Sequence, residues 1–299
     1  MKSSCPAVTA DPIAALDGCP PVSAAMEHDA PLPFIDVLGV RVEALTMEQA
    51  LARIASHLRR RQRGYLCAVN VHGVMQARRD PGLAAAYAGA AISIPDGMPI
   101  AWVGRLQGHR TTQRVAGPEL MREVFLRPEF AAYSHFFYGG DEGVAHELVA
   151  TFRRLAPHCN IVGTFTPPFR ELSPREESAL VATIDRARPD MIWVGIGTPK
   201  QDRFMRHMLP KLQTRIMFGV GAAFDFHTGR LRDCSPWIKN AGLQWFHRLL
   251  QDPRRLWLRY LRDNPAFLAH MALQLTGLRS YTLAACTPTV PDSPEKVRV

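Results

Sequence analysis

Four short segments carry the residues best suited to chemistry, and each directly follows an apolar run. Asp96 lies in Ile94-Pro95-Asp96-Gly97, where a carboxylate could take the proton from an attacking hydroxyl. Pro-Asp-Gly is equally the composition of an ordinary turn, so the segment alone leaves both roles open. Asn70 follows Val69 and offers an amide to a ligand or to loop backbone, and His72 beside it reads as a helix-start polar residue rather than a ligand. Gly195-Ile196-Gly197-Thr198-Pro199-Lys200-Gln201 is the most legible segment. Its glycines admit close backbone approach, and Thr198 is expected as N-cap with Pro199 at the first helical position. Free N–H groups and the positive end of the helix dipole would then seat a diphosphate or a carboxylate. Asp225, after Gly219-Val220-Gly221, adds a second carboxylate or caps the next turn.

Several alternatives are excluded by pattern. The P-loop signature is absent, and Gly219-Val220-Gly221 lacks the third glycine of the dinucleotide fingerprint. No Asp-x-Asp occurs and no histidine pair has zinc spacing, so a divalent-metal diphosphate clamp has no obvious ligands.

The elements that must position these residues are those of an α/β chain, a Rossmann-like, mainly parallel sheet flanked by helices with a helical C-terminal appendage. Strands are expected at Phe34–Val40, Tyr65–Val69, Ala91–Ile94, Ser134–Tyr138, Asn160–Gly163, Met191–Gly195 and Arg215–Gly219. Helices alternate with them: one opened by the capping box Thr46-Met47-Glu48-Gln49, one over Val71–Arg79, and others near 118–127, 141–155, 174–187 and 199–209. In such sheets ligands collect beyond the carboxyl ends of the strands, where the four segments lie. The expected organisation is a flexible arm over 1–32, an α/β domain over 33–235, a basic aromatic appendage over 236–279 and a tail over 280–299.

The chain has 299 residues, 47% of them apolar, enough for a substantial core, and a net charge of +9 that points to an acidic partner. The charge is concentrated. Arg230, Arg232, Lys239, Arg248, Arg254, Arg255, Arg259 and Arg262 face only Asp233, Asp252 and Asp263, which is more than half of the excess. Trp237, Trp245, Trp257, Phe246 and Tyr260 share that window. Cations interleaved with amphipathic rings suit an anionic membrane surface; the other reading is a terminal helical hairpin packed on the core with its arginines on the wet face. The Arg59-Arg60-Arg61-Arg63 run reads as solvated. No apolar run is long enough to span a bilayer, no signal-peptide pattern is present, and the six scattered cysteines read as reduced thiols. The expected location is the cytoplasm, peripheral on the inner face of the cytoplasmic membrane.

Taken in order, these pieces resemble the WecG/TagA/CpsF family of bacterial glycosyltransferases. The resemblance is carried by Val69-Asn70, Ile94-Pro95-Asp96-Gly97-Met98-Pro99, Arg114-Val115-Ala116-Gly117-Pro118-Glu119-Leu120 and Phe137-Tyr138-Gly139-Gly140, then by Gly195 to Asp202, Gly219 to Asp225 and Gly242 to Leu249. It implies a metal-independent, inverting transfer of a hexose from a UDP-sugar, with no resident cofactor, to a sugar on a polyprenyl-diphosphate lipid, in cell-surface polysaccharide synthesis. By the same resemblance Asp96 matches the general base, and Asn70, Arg114, Thr198, Gln201 and Asp225 the nucleotide-sugar pocket. Arg248, Arg255 and Arg259 match arginines that meet the lipid diphosphate and the membrane. Ala68, Gln244 and Pro118-Glu119 depart from the family pattern. A homo-oligomer is compatible with this reading, and nucleic acid is not an expected partner. The alternatives are a nucleotide-dependent Rossmann-type oxidoreductase and a non-catalytic protein that binds anionic lipid.

Overall fold

The computed structural model describes residues 32–282, so the arm expected over 1–32 and the tail expected over 280–299 lie almost wholly outside the described residues. Phe34–Val40, expected as one strand, is instead a hairpin of β1 (Phe34–Val37) and β2 (Val40–Glu43). Leu38 and Gly39 both take positive φ, 53° and 85°, the backbone of a tight two-residue turn, and the Gly39 N–H donates to Asp36 Oδ1 at 2.8 Å.

The helix α1 (Met47–Arg59) opens on the expected capping box, with Thr46 and Gln49 bonded reciprocally. Then come β3 (Gly64–Val69), α2 (Val71–Ala77), α3 (Pro81–Ala88), β4 (Ile92–Pro95), α4 (Met98–Leu106) and α5 (Gly117–Leu126). They are followed by β5 (Ser134–Gly139), α6 (Val144–Leu155), β6 (Asn160–Phe165), α7 (Pro174–Ala187), β7 (Met191–Gly195), α8 (Lys200–Met208) and β8 (Ile216–Gly219). The chain continues through α9 (Ala223–His227), α10 (Pro236–Asn240), α11 (Gln244–Gln251) and α12 (Pro253–Leu275). The sequence reading lacked α3, α4 and α9, and Asp225, expected in a loop, lies in α9. For α4 the reason is local: Gly97 supplies no side-chain cap, and most of the helix is apolar and buried, so no polar stripe marks it.

Strands β3 to β8 form one parallel sheet in the order β4-β3-β8-β7-β5-β6. Its central strands are buried on both faces, as a sheet covered by helices requires. Alternation sorts the side chains: Tyr65, Cys67 and Val69 of β3 join one core, Leu66 and Ala68 the other. Trp193 stacks on Phe218 at 4.2 Å between ring centroids and donates its indole N–H to His135 Nδ1 at 3.1 Å. Burial lowers the His135 pKa to about 4, which keeps that acceptor neutral.

The appendage only partly fits either expectation. Phe267 and Met271 of α12 are buried in the first core, whereas Trp257, Leu258 and Leu261 are exposed. Arg259 is not on a wet face; its Nε is fully buried. Nor is the Arg59–Arg63 run wholly solvated, because Arg63 turns inward and donates to the carbonyls of Leu209 and Leu212. Among the described residues no helix is long and apolar enough to cross a membrane. Cys67 and Cys234 are buried free thiols and Cys159 is a half-buried one.

Candidate functional site

The strand order brings the four segments together. β4, β3, β8 and β7 are consecutive in the sheet, so the loops bearing Asp96, Asn70, Gly221-Asp225 and Gly197-Gln201 stand side by side at its carboxyl edge. The cavity above them has a volume of about 1780 Å³. Single small-molecule pockets run to about 1,000 Å³, so two substrates have room here. Asn70, Asp96, Thr198, Gln201, Asp225, Arg248, Arg255 and Arg259 all line it, but Arg114 does not. Gly97, at φ 104°, turns the chain from β4 into α4 just beyond Asp96, a conformation that other residues rarely adopt.

Asn70 has two tasks. Its Oδ1 caps α2 by accepting from Gly73 N–H at 3.0 Å, and its amide donates to Asp96 Oδ2 at 3.2 Å. Asp96 is half-buried, and its backbone N–H is spent on Val69 O at 2.9 Å. Burial raises the Asp96 pKa; the Asn70 bond and the nearby Arg114 and Arg248 oppose that shift, and Glu119 adds to it. The result is a carboxylate of enhanced basicity with one amide fixing its orientation. The Asp225 pKa is also raised, first by burial and then by the nearby Asp141.

Thr198 does not cap α8, contrary to expectation. Pro199 itself takes the cap position in helical backbone geometry, and no side chain closes the helix start. Gln201, almost fully buried, ties two loops together instead: its Oε1 accepts from Gly221 N–H at 2.9 Å and its Nε2 reaches Thr198 Oγ1 at 3.4 Å. Asp202 is wholly buried beneath them, and neither of its oxygens has a well-aligned hydrogen-bond partner. Burial lifts its pKa to about 6, with Thr198 and the Cys67 thiol close enough to offset part of the rise.

The opposite wall is cationic. Arg248 Nε and Arg259 Nε are buried with no hydrogen-bond partner among the described residues, and Arg255 is held at 2.7 Å by Asp252. Unpaired guanidinium nitrogens beside a solvent-filled cavity are a preformed seat for an anion. Arg114, outside the cavity lining, donates to both oxygens of Glu119 at 2.5 and 2.6 Å. Glu119 also accepts from Lys239 at 2.9 Å, and Lys239 does line the cavity. The Pro118-Glu119 departure therefore supplies the anchor for two cations. Sequence reasoning missed Lys239 and the His72–Asp263 pair, whose contacts are tertiary and leave no local signal. Among the described residues no group of three or more His, Cys, Asp and Glu side chains is placed to hold a metal ion.

Comparison with known proteins agrees with the layout. The sequence model of the family described as "Glycosyl transferase WecG/TagA/CpsF family" matches residues 35–281. A Bacillus subtilis (strain 168) protein named N-acetylglucosaminyldiphosphoundecaprenol N-acetyl-beta-D-mannosaminyltransferase is 29% identical over 171 residues, which cover 56% of this chain and 63% of that protein. A protein of the same name from Bacillus spizizenii (strain ATCC 23059 / NRRL B-14472 / W23) is 25% identical over 223 residues, 72% of this chain and 83% of that protein. The chain thus matches less than two thirds of the length of the first relative and more than four fifths of the second.

Proposed function

We propose that this chain, which belongs to the glycosyl transferase WecG/TagA/CpsF family, moves a hexose from a UDP-sugar to a sugar carried on a polyprenyl diphosphate. The observation that carries the reading is the pairing, in one cavity, of a basic carboxylate at Asp96 with the unpaired cations Arg248 and Arg259. Asp96 accepts the proton of the acceptor hydroxyl as that oxygen bonds to the sugar's C1. The C1–O bond to UDP breaks in the same displacement, and its electron pair leaves on the β-phosphate. One displacement at C1 inverts its configuration. The growing charge falls to Arg248 and Lys239, with the positive end of the α8 dipole beside them, so the reading needs no resident metal or cofactor.

The names of the two relatives favour N-acetylmannosamine as the sugar moved and an N-acetylglucosaminyl-diphospholipid as acceptor. The apolar outer face of α11 and α12, with Phe246, Leu250, Trp257, Leu258 and Leu261 exposed and Arg254 and Arg262 among them, suits peripheral docking on an anionic membrane. A panel of UDP-sugars offered with a prenyl-diphosphate-linked N-acetylglucosamine, read by UDP release with and without a chelator, tests the reading. Release that requires both substrates and survives chelation supports it; no release with any donor overturns it.

A further inference from the structure

The cavity does not end at the charged centre. It continues as an apolar arm between α4 and the second half of α12, and two sets of contacts show that these helices run side by side in the same sense. Near their polar ends both converge on the start of α2. Asp96, just before α4, is bonded to Asn70, and Asp263 of α12 is bonded to His72 at 2.7 Å. At their far ends both are pinned to one residue of the β1–β2 hairpin: the Asp36 carbonyl accepts from Gln107 at 2.7 Å and from Gln274 at 3.1 Å.

Along that shared direction both walls change from charged to apolar. On α4 the cavity-lining residues after Asp96 include Met98, Trp102 and Leu106, spaced by four along one face, with Pro99 and Val103 beside them. On α12 the cavity-lining face begins with Arg255 and Arg259 and ends with Leu268, Met271 and Leu275. Met271 is 4% exposed and forms part of the floor, whereas Leu106 and Leu268, at 69% and 68%, are bare rims. From Arg259 to Leu275 the helix advances about 24 Å. An occupant must be an amphiphile with an anion at one end and a linear apolar chain at the other.

We propose that this arm seats the first isoprene units of a prenyl diphosphate, with the diphosphate at Arg255 and Arg259. The proposal rests on the acceptor class named under the proposed function, but its test is one of binding and needs no transfer. The full chain is titrated calorimetrically with inorganic diphosphate, geranyl diphosphate and farnesyl diphosphate, all below their micelle concentrations. The expected result is that affinity rises at least about tenfold from geranyl to farnesyl diphosphate, since each added unit buries several more carbons. The double variant Leu106→Asn/Leu275→Asn, altered only at exposed positions, should bind inorganic diphosphate as before and lose that chain-length gain.

Equal affinity for inorganic and farnesyl diphosphate overturns the proposal, as does a gain that persists in the variant. Vesicles of anionic phospholipid without prenyl lipid form the other arm of the test. A variant that loses vesicle binding while keeping the chain-length gain would place these leucines against the bilayer and overturn the groove. If no UDP-sugar yields UDP release, the transfer reading fails, and the calorimetric result stands or falls independently.

Discussion

His72 Nδ1 and Asp263 Oδ2 lie 2.7 Å apart although 191 residues separate them in the chain. Asp263 is 1% exposed and also accepts from Arg79 and Arg262. Burial works against its ionised form, but the bonds from His72 and Arg262 outweigh it and hold its pKa below the usual carboxylate range. The pair registers the helix that starts at Asn70 with the helix that carries Arg255 and Arg259. It thereby sets the carboxylate half of the site against the cationic half.

Asp263→Ala leaves His72 and two arginines facing a void. Breaking one side of such a buried charged cluster costs about 3 kcal/mol or more, a Tm fall of roughly 5–10 °C for a chain of this size. Differential scanning calorimetry measures it. Because the pair is held by a depressed carboxyl pKa, its contribution is full above the ordinary carboxyl pKa and is lost only as pH falls below about 4.

Replacing Asp96 by Asn keeps the size and the Asn70 contact but removes the proton acceptor. Transfer should fall by about 10²- to 10⁴-fold while calorimetric UDP affinity stays within a few-fold. Turnover close to wild type would remove Asp96 from the role of base.

The pH profile offers a separate check on Asn70. Its amide favours the ionised form of Asp96, so Asn70→Ala should raise the carboxyl pKa further. The acid limb of kcat/KM, already above that of a free carboxyl, should then move to higher pH. A limb that stays put would show that Asn70 does not tune Asp96.

Asp202 gives a prediction of opposite sign. Its folded pKa is raised to about 6 from 3.8, so the native state binds the proton more tightly than the unfolded chain. The Asp202 contribution is therefore most favourable below pH 4, declines as pH rises from 4 to 6, and is a penalty on the order of 3 kcal/mol above that. Asp202→Asn should be more stable than wild type at pH 8 and should flatten the dependence of Tm on pH between 4 and 7. Identical profiles for the two proteins would exclude Asp202 as the titrating group.

On the outer face of α12, Leu258 and Leu261 are 62% and 66% exposed. The double change Leu258→Gln/Leu261→Gln should lower binding to anionic vesicles by about tenfold or more in a flotation assay and leave Tm nearly unchanged. Raised salt should weaken what remains. Undiminished flotation would assign this face to something other than lipid.

The sheet and the loops at its carboxyl edge were legible because each strand is a short apolar run and each loop breaks it with Gly, Pro, Asn or Asp. Asp96 and Asn70 were legible individually, but their bond was not, since it depends on β3 and β4 being neighbours. Thr198 shows the limit of local rules: a good capping residue before Pro199 is left outside the helix, because its loop is held by Gln201 and Gly221 instead. The mixed character of α12 was hidden for a related reason. Its periodicity shows an apolar stripe on each side, and only the packed structure shows that Phe267 and Met271 face the core while Leu258 and Leu261 do not.

The strand order has a consequence for how the protein comes into being. β4 and β3 pair with each other, and β7, β5 and β6 form a second group. Among the described strands, β8 (Ile216–Gly219) is the one whose ladders join the two groups. A nascent chain that has not yet reached Ile216 holds Asn70 and Asp96 in one fragment and Thr198 and Gln201 in another, with no shared ladder between them. The cationic helix follows later still. Among the described residues β8 is the last strand to be made, and it is the keystone of the sheet, so the two halves of the carboxyl edge meet only after it.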